Sequence, residues 1–121
     1  MDVRVKRVYE APAEDDGQRI LVDRLWPRGV TKEAARIDAW LKEVAPSHEL
    51  RKWIHLDSSR WEEFVVRYRS ELAESPEAAA GMNELRGAAL AGTVTLVYSS
   101  KSIDRNNATA LRDILLQGDG P

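Results

Sequence analysis

The sequence predicts an α/β fold: a single layered domain with a small, at least partly parallel sheet of three or four strands flanked by helices. Three observations point there. Short apolar runs rich in β-branched residues recur at Ile20-Leu21-Val22 and Thr93-Val94-Thr95-Leu96-Val97-Tyr98, separated by long segments with helical periodicity. At 121 residues the chain suits one domain and is too short for two of ordinary size. With 43% hydrophobic and 31% charged residues it has the balance of a folded globular protein rather than a disordered one.

In order along the chain, Val3 and Val5 alternate with Arg4 and Lys6, the period of a strand buried on one face and placed toward an edge. Residues 11–18, with Pro12, Glu14, Asp15, Asp16 and Gly17, have no apolar period and are expected as an exposed loop. Arg19 to Asp23 is too brief for a helix and suits an inner strand covered on both faces. Arg24-Leu25-Trp26-Pro27-Arg28-Gly29 then leaves the sheet as a fixed loop, because proline lacks a backbone donor and glycine tolerates positive φ. Thr31 caps a short helix over 32–36.

Residues 37–44 fit neither period well and remain open between edge strand and helix. Ser47 is placed to cap a helix with Leu50, Trp53 and Ile54 on one side, followed by His55-Leu56-Asp57 as a connector. Ser59 and Glu62 have capping-box spacing ahead of Trp61, Phe64, Val65, Tyr68 and Leu72, an apolar helical face that predicts burial of Trp61, as of Trp53. Pro76 opens a further helix with Met82, Leu85 and Leu90 expected inward and Gly92 as its stop. After the clearest strand, ending at Tyr98, a polar loop leads to a last helix with Ala108, Leu111, Ile114 and Leu115 inward. Gly118 is expected to end it, leaving 118–121 as a flexible tail.

Composition removes several classes of function. The chain has no cysteine, which excludes disulfides, thiolate nucleophiles, iron–sulfur clusters and cysteine-bound zinc. Twenty acidic against 18 basic side chains give a formal charge of -2, so no global positive field draws it to nucleic acid. No stretch approaches the roughly 18 apolar residues of a membrane span, and the amino terminus alternates instead of forming a signal segment. The expectation is a soluble, cytoplasmic protein with no membrane partner.

In open α/β sheets ligands bind beyond the carboxyl ends of the strands. If the strands ending at Asp23 and Tyr98 are parallel neighbours, the loops that follow them share one rim. There Arg24, Arg28, Lys101 and Arg105 can hold a phosphate or carboxylate, with Trp26, Gly29, Tyr98, Ser99, Ser100, Asn106 and Asn107 lining the cradle. The rival reading has these arginines paired with Asp23, Glu33 or Asp38, and the serines and asparagines capping helix and turn.

The P-loop and the Gly-x-Gly-x-x-Gly fingerprint are both absent, which disfavours classical nucleotide binding, and no cofactor is expected. His55 and Asp23 are the candidate proton carriers for a small hydrolase or transferase. A serine hydrolase lacks its nucleophile-elbow motif. His48, His55 and Asp57 do not have the spacing of a known metal site, so no metal is assigned. The alternative to a ligand site is an interaction or homodimerisation module that uses tryptophan and arginine as anchors.

Leu21-Val22-Asp23-Arg24-Leu25-Trp26-Pro27-Arg28-Gly29, with Trp40 to Ser47, Leu50 to Trp53, Arg60 to Phe64, Tyr68, Val94 to Tyr98 and Asn106-Asn107-Ala108, resembles the YeaO-like bacterial proteins, a domain-of-unknown-function family. The resemblance covers nearly the whole domain apart from the acidic loop and the tail. It implies membership and directs attention to the Trp-Pro-Arg-Gly loop and the loop after the last strand. It carries over no activity, substrate or cofactor. This chain departs from the family pattern at Ser99-Ser100, where alanine-containing pairs are common, and at Arg105, where a histidine commonly stands. Chemistry based on those positions is therefore not implied for the family as a whole.

Overall fold

Four parallel strands stand in the order β1-β4-β2-β3 in a computed structural model that describes residues 1–117. The strands are β1 (Val3–Arg7), β2 (Gln18–Leu21), β3 (Ala39–Trp40) and β4 (Val94–Tyr98). The helices are α1 (Lys32–Ala35), α2 (His48–Leu56), α3 (Trp61–Glu74), α4 (Pro76–Ala91) and α5 (Asn107–Gln117). Gly118 and the 118–121 tail lie outside the described residues.

The two inner strands do what their apolar runs dictate. Every residue of β4 is buried, and its side chains alternate between two layers. Val94, Leu96 and Tyr98 join Ile20, Val22 and the inward residues of α2 to α5 in the main core. Val97 and Leu21 point the other way, into a smaller cluster with Val8 and Ala35, against which Trp26, Val30 and Ile37 pack. The longer helices therefore cover one face of the sheet, while α1 and the 24–30 loop cover part of the other.

The segment 37–44, open on sequence, is a two-residue edge strand followed by a 3-10 turn at Lys42–Val44. Its two-residue ladder is too short to display a period. Leu41 and Val44 are buried, and the buried Tyr68 hydroxyl donates to the Val44 carbonyl.

Several expectations need correction. Residues 11–18 are not simply an exposed loop: Glu14–Asp16 forms a 3-10 turn laid over the second sheet face, where Asp16 and Arg19 are only 4% and 3% exposed. Asp16 accepts from Arg19 at 2.6 Å and Lys6 at 3.0 Å, while its backbone carbonyl accepts from Thr95 at 2.7 Å. Gly17 is required here, since its φ is 65° and a Cβ would lie 2.2 Å from the Thr93 carbonyl oxygen.

The Ser59–Glu62 capping box does not form. Asp57 instead accepts from the Ser59 backbone at 3.0 Å and caps a 3-10 turn at Ser58–Arg60 that runs directly into α3. His55 and Leu56 belong to the last turn of α2 rather than to a connector. Leu90 stands one residue past the Ala78, Met82, Leu85 and Ala89 stripe of α4 that faces the core and so points to solvent, and Trp53 and Trp61 are half-buried.

Candidate functional site

Strands β2 and β4 are parallel neighbours, with Leu21 opposite Val97, so the two loops predicted to share a rim do so. Asp23, two residues beyond β2, is the centre of that rim. Its Oδ2 accepts from the Ser99 backbone at 3.0 Å and the Ser99 hydroxyl at 2.7 Å, and its Oδ1 accepts from Asn107 Nδ2 at 3.0 Å. Asn107 also donates to the Val22 carbonyl at 3.1 Å. The start of α5 and both strand ends are thereby tied through one carboxylate held by neutral donors.

The Trp-Pro-Arg-Gly loop is fixed from within. Trp26 Nε1 donates to the Val30 carbonyl at 2.7 Å, and its ring meets Trp40 edge-on at 5.6 Å. Trp40 Nε1 donates to the Asp23 carbonyl at 2.7 Å. Gly29 has φ 73° with open space where a Cβ would stand, so its requirement is conformational rather than a close approach to a ligand.

The other predicted residues divide by what they already hold. Arg24 donates to the Ala45 carbonyl at 2.8 Å, bracing the turn before α2. Asn106 is buried: its side chain accepts from the Thr109 backbone at 2.9 Å and donates to the Ser102 carbonyl at 2.8 Å, a local cap of α5. Tyr98 is buried, and burial foremost raises its hydroxyl above the ordinary value, against a hydrogen bond with Asn106 that lowers it. Ser100 Oγ accepts from the Ser102 backbone at 3.2 Å. Arg105 lies 6.0 Å from the Trp61 ring centre, toward the helical layer. His55 is exposed on α2, outside the Asp23 network.

Arg28 and Lys101 are exposed, and the chain around them converges on a pair that sequence reasoning missed. Tyr9 donates its hydroxyl to the Arg28 carbonyl at 3.1 Å. The Arg7 guanidinium stands 4.7 Å over the Tyr9 ring and donates through Nε to the Ser100 carbonyl at 2.9 Å. The Glu10 carboxylate accepts from the Arg7 backbone at 3.2 Å. The missed signal was topological: Arg7 ends β1 opposite Tyr98, so the carboxyl end of an edge strand belongs to the same rim.

Among the described residues no group of three or more histidine, aspartate or glutamate side chains is arranged to hold a metal. Nor is any of their helices long and apolar enough to cross a membrane.

The arrangement defines a small parallel α/β domain whose strand-end rim is closed by a hydrogen-bonded carboxylate. A family model described as Inactive DUF488-N3 subclade matches residues 2–118, and the chain belongs to that family. It is 45% identical over 113 residues to an uncharacterized protein of Mycobacterium tuberculosis (strain ATCC 25618 / H37Rv), covering 93% of this chain and 92% of the relative. It is 40% identical over 115 residues to the uncharacterized protein YeaO of Escherichia coli (strain K12), covering 95% of this chain and 97% of the relative. The resemblance read from the sequence is thus a family relationship. No solved structure matches the chain.

Proposed function

We propose that this domain binds rather than catalyses, and that it recognises the phosphate or carboxylate of a small ligand at the strand-end rim through Arg7, Arg28 and Lys101. The observation that carries the reading is the convergence around Tyr9: the Arg7 guanidinium stands over its ring and donates to the carbonyl of Ser100, the neighbour of Lys101, while the Tyr9 hydroxyl donates to the Arg28 carbonyl. Guanidinium forks suit planar or tetrahedral oxyanions, and Lys101 adds a mobile point charge. Glu10, whose carboxylate accepts from the Arg7 backbone, offsets only part of that charge because it is one anion against three cations.

Support for a non-catalytic role comes from how the reactive groups are used. A serine nucleophile needs a base free to take its proton and positioned by a third group. Ser99 instead donates to a carboxylate already shared with Asn107, and His55 lies outside that set. The word inactive in the family description agrees with this reading.

A thermal-shift series with phosphate, sulfate and simple carboxylates tests it. An anion at a hundred times its Kd stabilises the folded state by about 2.7 kcal/mol. The wild type and Arg24→Ala should both be stabilised, because Arg24 is committed to Ala45, while an Arg7→Ala/Arg28→Ala double variant should not. An unshifted wild type, or a double variant shifted as strongly as the wild type, contradicts the proposal.

A further inference from the structure

The Arg7 guanidinium is fastened from two sides and keeps its outer edge open. Its Nε donates to the Ser100 carbonyl at 2.9 Å, and its flat face lies 4.7 Å over the Tyr9 ring. Neither contact uses Nη1 or Nη2, and no acceptor among the described residues takes them. A half-buried guanidinium placed in this way is a fork fixed before any ligand arrives, so little side-chain freedom is lost on binding.

The other two cations of the rim are uncommitted as well. Arg28 is tied through its carbonyl, which accepts from Tyr9, while its guanidinium has no acceptor among the described residues. The same holds for the ammonium of Lys101, next to the Ser100 carbonyl that fixes Arg7. The neighbouring carboxylates are turned elsewhere: Glu10 accepts from the Arg7 backbone, and Asp23 from Ser99 and Asn107.

The number of ligand oxygens separates the anions that this set can hold. The fork of Arg7 alone satisfies the two oxygens of a carboxylate, or the two unesterified oxygens of a phosphodiester. Arg28 and Lys101, carried by two other loops, then have nothing to bind. A terminal phosphate has three free oxygens, and above its second pKa of about 6 it carries two negative charges. Two oxygens suit the fork, and the third is left for Arg28 and Lys101. Glu10 and Asp104, which both act on the Tyr98 hydroxyl, border the rim and repel any anion, so a ligand held by one cation alone gains little.

We infer that the rim selects phosphomonoesters, binding the terminal phosphate as its dianion with two oxygens on Arg7 and the third on Arg28 and Lys101. This selectivity rests on the rim being an anion site, as proposed above, and adds which anion it takes.

NMR-detected titrations of the full chain with methyl phosphate, dimethyl phosphate and acetate test it. At about pH 7.5 methyl phosphate should bind at least about tenfold more tightly than either of the others, a margin of one charge-assisted hydrogen bond. At about pH 5 its affinity should fall about tenfold, since only about a tenth of it is still dianionic. Dimethyl phosphate, a monoanion at both pH values, should bind equally at each. Arg28→Gln and Lys101→Gln, at exposed positions, should each weaken methyl phosphate about tenfold and leave acetate within about twofold of wild type. Dimethyl phosphate or acetate binding as tightly as methyl phosphate, or Lys101→Gln weakening all three alike, overturns the selectivity and leaves the rim a general anion site. No saturable response to any of the three overturns the anion reading itself, and the selectivity with it.

Discussion

Strand β2 is bracketed by two aspartates held in opposite ways. Ahead of it, Asp16 is buried and paired with two cations, Lys6 and Arg19. Beyond it, Asp23 is partly exposed and receives only neutral donors, from Ser99 and Asn107. The charged set closes the second face of the sheet beneath the 14–16 turn. The neutral set aligns two loops and leaves the cations of the rim for other partners. In this domain buried charge locks the fold, and neutral hydrogen bonds shape the strand-end rim.

The sharpest way to break the comparison is Asp16→Ala. Removing one partner of a buried ion pair leaves Arg19 uncompensated and costs about 3–5 kcal/mol, read as a large drop in urea midpoint. Gly17→Ala, next in the chain, should cost about 1–3 kcal/mol through its positive φ and its approach to Thr93. At the other end of β2, Asp23→Asn leaves three donors facing an amide with one accepting oxygen. That substitution should cost about 1–3 kcal/mol in chemical denaturation, with the smaller part of the range expected because the site is partly exposed. His55→Ala should stay within about 0.5 kcal/mol of wild type, as an exposed substitution outside the network.

Acid titration sharpens the contrast. Burial by itself raises the Asp16 carboxyl, but hydrogen bonds from the Ala13 backbone, Lys6 and Arg19, with the Lys6 charge, outweigh it and hold the group below its ordinary value. Its contribution to stability is therefore complete above the unfolded value of about 3.9, and is lost as pH falls through the lower folded value. Melting curves recorded from neutral to acid pH should show this loss in the wild type and not in Asp16→Asn.

Much of this was legible in the sequence where a residue's neighbours along the chain decide its state. The β4 strand, the Thr31, Ser47 and Ser75-Pro76 helix starts and the shared rim follow from local pattern plus parallel pairing. Asp16 was misread because an acidic stretch with no apolar period ordinarily faces water, and nothing local reveals that it pairs with Arg19 and closes over Thr95. The capping box at Ser59 lost to Asp57, a competing acceptor two residues upstream.

At the site, the residue types were readable but their partners were not. Ser99 and Asp23 lie 76 residues apart in the chain, and only the folded sheet decides that Ser99 serves the carboxylate of Asp23 rather than a ligand. The same holds for Arg24, turned to Ala45, and for Arg7, which stood outside the loops and yet ends at the rim.

Titrating isotopically labelled protein with inorganic phosphate and following the backbone amides by NMR tests the central claim most directly. The account predicts saturable shifts at Arg7, Tyr9, Arg28 and Lys101, with the Asn107 side-chain amide that holds Asp23 unmoved. Shifts confined to Ser99 and Asn107, or no saturable shift at all, would contradict it.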